Sequence, residues 1–118
     1  MISTRNESDV VEAVRAARAR HRTLEILGAG TKRSFGRVIE CDETLDVSGL
    51  GGFVSYEPSE LVITVLPGTP VAEIVASLAQ KNQRLGFEPA DWGALLGASP
   101  GGATIAGAAT TATPLGCI

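Results

Sequence analysis

The segment Ile26 to Gly36, "ILGAGTKRSFG", places three glycines, a threonine and two cations directly after a short apolar run. Such a run delivers a strand into a loop, and the glycines permit backbone conformations and close approaches that other residues resist. The residues downstream decide which loop it is. "RVIECDETLDV" has no helical periodicity, so the chain leaves the loop into another strand rather than a helix. A dinucleotide fingerprint fails at Arg33, where the third glycine should stand, and also for want of the helix it must open. A P-loop fails because Thr31, not glycine, precedes Lys32. Two readings remain for residues 28–32. In one, successive N–H groups converge as an anion-binding nest, with the Thr31 hydroxyl as a further donor. In the other, the segment is a glycine-rich turn with solvated cations at Lys32 and Arg33.

The elements around the loop follow from periodicity. Val10, Val11, Val14, Ala17 and Arg18 suggest an amphipathic helix from Asp9 to Arg20, capped by Ser8 or by Asp9 with Glu12. Strands are expected at Thr23–Leu27 and Thr44–Ser48, and a hairpin from Gly52–Tyr56 and Leu61–Leu66, turning at "EPSE" with Phe53 and Tyr56 on opposite sides. "GTPVAEIVASLAQKNQ" reads as a helix capped by Thr69, with Pro70 in its first position and Val71, Ile74, Val75 and Leu78 on one face. "RLGFEP" reads as a last short strand. The fold class is therefore α+β, with an α/β-like layer of two helices packed on a small mixed sheet. Charged residues stop at Asp91, which suggests a first subdomain over 1–89 and the start of a second over 90–118.

Charge and composition exclude several functions. Ten basic against thirteen acidic residues give a net charge of −3, no footprint for a nucleic acid. Cys41 and Cys117 form no Cys-x-x-Cys unit and His21 is the one histidine, so no zinc site is expected, and Cys41 reads as a structural or surface thiol. The N-terminus lacks an apolar secretory core, so a cytoplasmic location is expected. The uncharged stretch from Trp92 to Ile118 contains six glycines and two prolines, which argues against a membrane-spanning helix. Trp92 reads as a packing residue.

"LEILGAGTKRSFG", then "TLDVSGLGGFVSYEPSELVITVLPGTPVAEIVASLAQKNQRLGFEPADWG", then "GGATIAG" together resemble the FAD-binding domain of the vanillyl-alcohol oxidase, or PCMH, type. Within that group the pattern looks most like the FAD-binding subunits of glycolate oxidases. The resemblance implies that the cofactor is FAD, its pyrophosphate wrapped by Gly28, Ala29, Gly30, Thr31 and Lys32, with Gly36 closing the loop. It implies that Pro67 and Gly68 lie beside the nucleotide. It further implies that Thr104, Ile105 and Gly107 form a second cofactor loop, in which Ala106 replaces a usual glycine. Relatives with covalently bound flavin carry a histidine in the first loop, where this chain has Thr31 and Lys32, so the flavin is expected to be noncovalent.

By the same resemblance the reaction is oxidation of a small 2-hydroxy acid by hydride transfer to FAD, and partners would be a second flavin subunit and an iron-sulfur subunit. Family members continue beyond this loop, where this chain reads "TTATPLGCI". The chain is thus expected to be an N-terminal piece, binding FAD weakly or not at all and without turnover, and no catalytic residue is assigned. The alternatives are another FAD-linked oxidase resembling D-lactate dehydrogenase, and a noncatalytic α+β module that associates with another chain.

Overall fold

In the computed structural model, residues 1–34, 37–38, 40–91, 93–98 and 101–107 are described. Gly36 and Trp92 lie outside them, and so do the expectations placed on those two residues. The chain begins with a two-residue strand, β1 (Ile2–Ser3), that sequence reading missed because two residues carry no alternation. Pairing sets Ile2 opposite Leu45 and Ser3 opposite Asp46, and Ile2 packs against the core around Leu45.

Helix α1 spans Glu7–Ala19. Its cap is Asn6, not Ser8 or Asp9: the Asn6 side-chain oxygen accepts from the Asp9 N–H at 2.9 Å, and the Asp9 carboxylate accepts in turn from the Arg5 N–H at 2.8 Å. Asp9 is thus the third helical residue of a reciprocal cap. The buried stripe also differs from expectation. It runs through Val10, Ala13 and Ala17, while Val11 and Val14 are each 40% exposed. Alanines at 13 and 17 let the helix lie close to the sheet. Past the C-cap Arg20 the chain turns at His21, whose φ of 53° is left-handed, with the Arg22 N–H returning to the Ala17 carbonyl at 2.9 Å.

Strands β2 (Leu24–Leu27) and β3 (Glu43–Asp46) are parallel, and with β1 they form a sheet of order β1-β3-β2. β3 is therefore central, and Leu45, 1% exposed, anchors a core with Ala13, Val47 and Leu50. Asp42 ties the two strand beginnings together, accepting the Thr23 N–H and hydroxyl, each at 2.8 Å. Cys41 is no free thiol, contrary to the reading from sequence.

Strands β4 (Phe53–Glu57) and β5 (Val62–Val65) form the expected antiparallel hairpin, turned by a 3-10 segment at Pro58–Glu60. A register shift between Phe53 and Ser55 places Phe53 opposite Val65 and Tyr56 opposite Ile63. Phe53 and Tyr56 therefore share a face, because the extra residue reverses the alternation that would have separated them. The hairpin is a sheet of its own. The α+β class holds, but the single mixed sheet resolves into one parallel and one antiparallel sheet.

Helix α2 spans Val71–Ala79, with Ile74 and Leu78 buried and Val75 exposed. Pro70 is its cap residue and Thr69 does not cap it. The Thr69 hydroxyl, fully buried, instead accepts the Gly52 N–H at 3.0 Å and lies 2.6 Å from the Leu66 carbonyl oxygen, to which it donates. "RLGFEP" forms no strand. Just before it, Gln83 is drawn back to the helix end by its N–H to the Leu78 carbonyl, and its side chain joins Tyr56 and the Pro58 carbonyl. Residues 84–89 themselves find no ladder partner among the described residues. No helix among the described residues is long and apolar enough to cross a membrane.

Candidate functional site

The glycine loop leaves β2 at the C-terminal edge of the parallel sheet and leads toward β3 with no intervening helix among the described residues. Alternation along β2 puts Glu25 and Leu27 on the sheet face opposite Leu24 and Ile26. The loop folds back over that face. Gly30, at a φ of 71°, is seated so that a Cβ there would lie 3.4 Å from Leu27 Cδ1. Arg33 returns to Glu25 through two hydrogen bonds of 3.1 and 2.7 Å, and its N–H closes a turn onto the Gly30 carbonyl at 3.2 Å. Thr31 is buried. Among the described residues, the N–H groups of Gly28, Gly30 and Thr31 meet no protein acceptor.

Residues 103–107 close the other side of this loop. The chain there is stitched to the start of α2: Val71 N–H donates to Ala103 O, Ile105 N–H to Thr69 O and Ala106 N–H to Pro67 O, each at 2.9 Å. Pro70 and Thr104 form an antiparallel bridge. From that frame the Thr104 hydroxyl oxygen accepts the Ala29 N–H at 3.3 Å, and it occupies the space that a Cβ on Gly28 would need. Lys32 Nζ reaches the Gly107 carbonyl at 3.5 Å. Three segments far apart in sequence thus meet: Gly28–Lys32, Pro67–Thr69 and Thr104–Gly107.

The expected site residues divide by position. Gly28, Ala29 and Lys32 face Thr104, Ala106 and Gly107 directly. Pro67 supports the second loop through its carbonyl, and Ile105 is held by its own N–H. Gly68 is a packing position: a Cβ would come within 2.5 Å of Ser48 O and 2.6 Å of Val47 O. Its smallness lets the turn cross the end of β3.

Sequence reading passed over Asp91 as merely the last charge before the uncharged stretch. Its carboxylate accepts the Gly93 N–H at 3.1 Å and the Gly101 N–H at 2.7 Å, and its charge lies within electrostatic reach of Lys32. An aspartate followed two residues later by glycine is the local signal for part of this, as a side-chain turn. The bonds from Gly101 and Gly93 hold the Asp91 carboxyl below the ordinary aspartate range, with a smaller contribution from Lys32. The Lys32 amine is lowered, chiefly by burial, and Asp91 opposes that shift. A bound anion would oppose it in the same sense.

A folded-state pKa below the unfolded value means that Asp91 adds stability above the ordinary aspartate range, and that this is lost as pH falls through the lowered value. The stability difference between the natural chain and Asp91→Asn is therefore expected to be full near neutrality and to shrink as pH falls through the lowered value. Urea unfolding of both proteins from about pH 7 downward measures it.

Backbone donors without protein acceptors, a partly desolvated cation and residues small enough for close approach suit a phosphate or diphosphate better than any apolar ligand. No group of three or more possible metal ligands occurs among the described residues.

Comparison with known proteins agrees with this chemistry. A family model described as FAD binding domain matches residues 1–114. Glycolate oxidase subunit GlcE of Escherichia coli (strain K12) is 39% identical over 84 residues, which are 71% of this chain and 24% of that protein. The aligned region thus spans about a quarter of the relative's length. No solved structure matches the chain. The donor set around Gly28–Lys32 fits a cofactor bearing a diphosphate, and with the family match over residues 1–114 the chain belongs to the FAD binding domain family, a family of FAD-dependent oxidoreductases.

Proposed function

We propose that the loop Gly28–Lys32 holds the diphosphate of FAD from one side, that Thr104, Ile105 and Gly107 approach it from the other, and that Pro67 and Gly68 carry the turn beside the nucleotide. The observation that carries this reading is the convergence of the two loops, with the N–H groups of Gly28, Gly30 and Thr31 left without protein acceptors among the described residues. Backbone donors suit a diphosphate because several short dipoles share its charge, and Lys32 adds attraction. Gly36 remains part of the proposed loop, outside the described residues.

Bound FAD would supply a hydride acceptor; the chain's own residues bind and orient it. The flavin is held noncovalently on this reading, since His21 lies just past α1 and the loop carries Thr31 and Lys32. The substrate is a small 2-hydroxy acid, by similarity to the glycolate oxidase subunit, and the partners are the flavin and iron-sulfur subunits of such an oxidase. The division into residues 1–89 and 90–118 belongs to the same proposal, as does a cytoplasmic location.

Titration with FAD, ADP and riboflavin tests the diphosphate reading. FAD is expected to saturate at one per chain with a shifted flavin spectrum, ADP to compete with it and riboflavin to fail. The titration is run on this chain and on any longer product of the same gene, because ordering a partly formed cradle weakens binding. If neither binds FAD, or if riboflavin competes as well as ADP, the reading is wrong.

A further inference from the structure

We propose that Glu25 is a positioning residue for the glycine loop, acting through Arg33. The functional consequence rests on the diphosphate reading above, but the positioning itself can be measured without a ligand. Arg33 presents its Nε to Glu25 Oε1 at 3.1 Å and its Nη2 to Oε2 at 2.7 Å, so the two planar groups meet fork to fork. Thr44, on the neighbouring strand, donates its hydroxyl to the same Oε2 at 3.1 Å. The carboxylate is therefore oriented by β3 before it orients Arg33.

The Arg33 side chain has 51% of its surface exposed and that of Glu25 30%, a setting in which an isolated ion pair contributes little. Two-pronged geometry and a third donor fixing the carboxylate are the circumstances in which such a pair restrains its partners. What it restrains is specific. The Arg33 N–H is bonded to the Gly30 carbonyl, so the turn from Gly30 to Arg33 is closed through its backbone and anchored to the sheet through its last side chain. Gly30, Thr31 and Lys32 lie within that span.

The adjacent cations consequently have different tasks. Glu25 compensates the Arg33 charge and turns it toward β2, whereas Lys32 is directed to the second loop at Gly107. This makes a prediction with a distinctive sign. Removing a carboxylate from the neighbourhood of an anion site strengthens anion binding if charge alone matters, and weakens it if the carboxylate holds the donors in place.

Backbone amide protection at residue 33, whose N–H closes the turn onto the Gly30 carbonyl, is compared in the natural chain, E25Q, R33Q and the double variant. Each single change is expected to speed exchange about threefold to tenfold without altering Leu24–Leu27, and the double to match the singles. Unchanged exchange in both singles, or effects that simply add, overturns the proposal. FAD titration then reads function: E25Q is expected to bind about threefold to tenfold more weakly, and tighter binding overturns the positioning role. If neither the natural chain nor any longer product of the same gene binds FAD, the diphosphate reading has failed, and the exchange comparison still decides whether Glu25 positions the loop.

Discussion

Gly68→Ala is expected to destabilise the fold by about 3 kcal/mol or more, which would remove more than half of a stability of about 5 kcal/mol. A Cβ at this position would meet Ser48 O at 2.5 Å, Val47 O at 2.6 Å and Leu50 C at 2.9 Å. All three are backbone atoms, so no side-chain rotation relieves the overlap. The crossing is also pinned. Gly68 donates its N–H to Leu50 O at 2.7 Å, and the fully buried Thr69 hydroxyl bonds Gly52 and Leu66 on the next residue. Moving the turn away would break those bonds and pull on Val47 and Leu50, two members of the core around Leu45. Gly86 is the control, because a Cβ there meets nothing within 4 Å. Its alanine variant should stay within about 0.5 kcal/mol of the natural chain in urea unfolding, and a similarly small effect at Gly68 would refute the steric account.

How far the sequence revealed the fold can be judged from where it misled. Both helices and the hairpin follow from periodicity and from Pro58 and Pro70, since those signals are local and survive packing. Capping was misassigned at both helices for a common reason: several polar residues compete at each end, and the winner is set by which oxygen reaches the third helical N–H. Asn6 reaches it in α1, while Thr69 is claimed by Gly52 and Leu66. Strand β1 and the absence of a strand at "RLGFEP" were equally beyond local pattern, because a strand exists only where a partner offers an edge. The split into two sheets was hidden by the same fact.

The site was readable to a different degree. That Gly28–Lys32 is a loop between strands follows from the missing helical period after it. Its meeting with Thr104–Gly107 did not follow from any spacing; it came from resemblance to a family, and the bonds from residues 103–106 to residues 67–71 give its physical basis. Glu25 carried no chemical signal, and Asp91 only that of a side-chain turn onto the glycine two residues on. Each acts on a residue distant in sequence, and a lone carboxylate on a strand or loop is usually just a solvated charge.

Gly28 and Thr104 supply the second large effect, and it is one that two substitutions can separate. Gly28→Ala would push a methyl group into the Thr104 hydroxyl, which is buried and bonded to the Ala29 N–H. Thr104 must then leave its place, with loss of that bond and strain in its side chain, for about 2 kcal/mol together. Thr104→Ala alone loses the bond and leaves a small void, for about 1 kcal/mol. In the double variant the added methyl enters space the hydroxyl has vacated, where its remaining neighbours are Gly107 N at 3.4 Å and Ala106 Cβ at 3.5 Å. The double should therefore be about as stable as Thr104→Ala, well short of the sum of the singles, a coupling of about 2 kcal/mol in a double-mutant cycle. Affinity for FAD is expected to follow a different order. Gly28→Ala and the double should both bind at least about tenfold more weakly, because the methyl group stands where the two loops approach the diphosphate whether or not Thr104 makes room for it. Stability restored without affinity would mark Gly28 as a residue of the cradle rather than of the packing alone; affinity restored together with stability would mean that its only task is to accommodate Thr104.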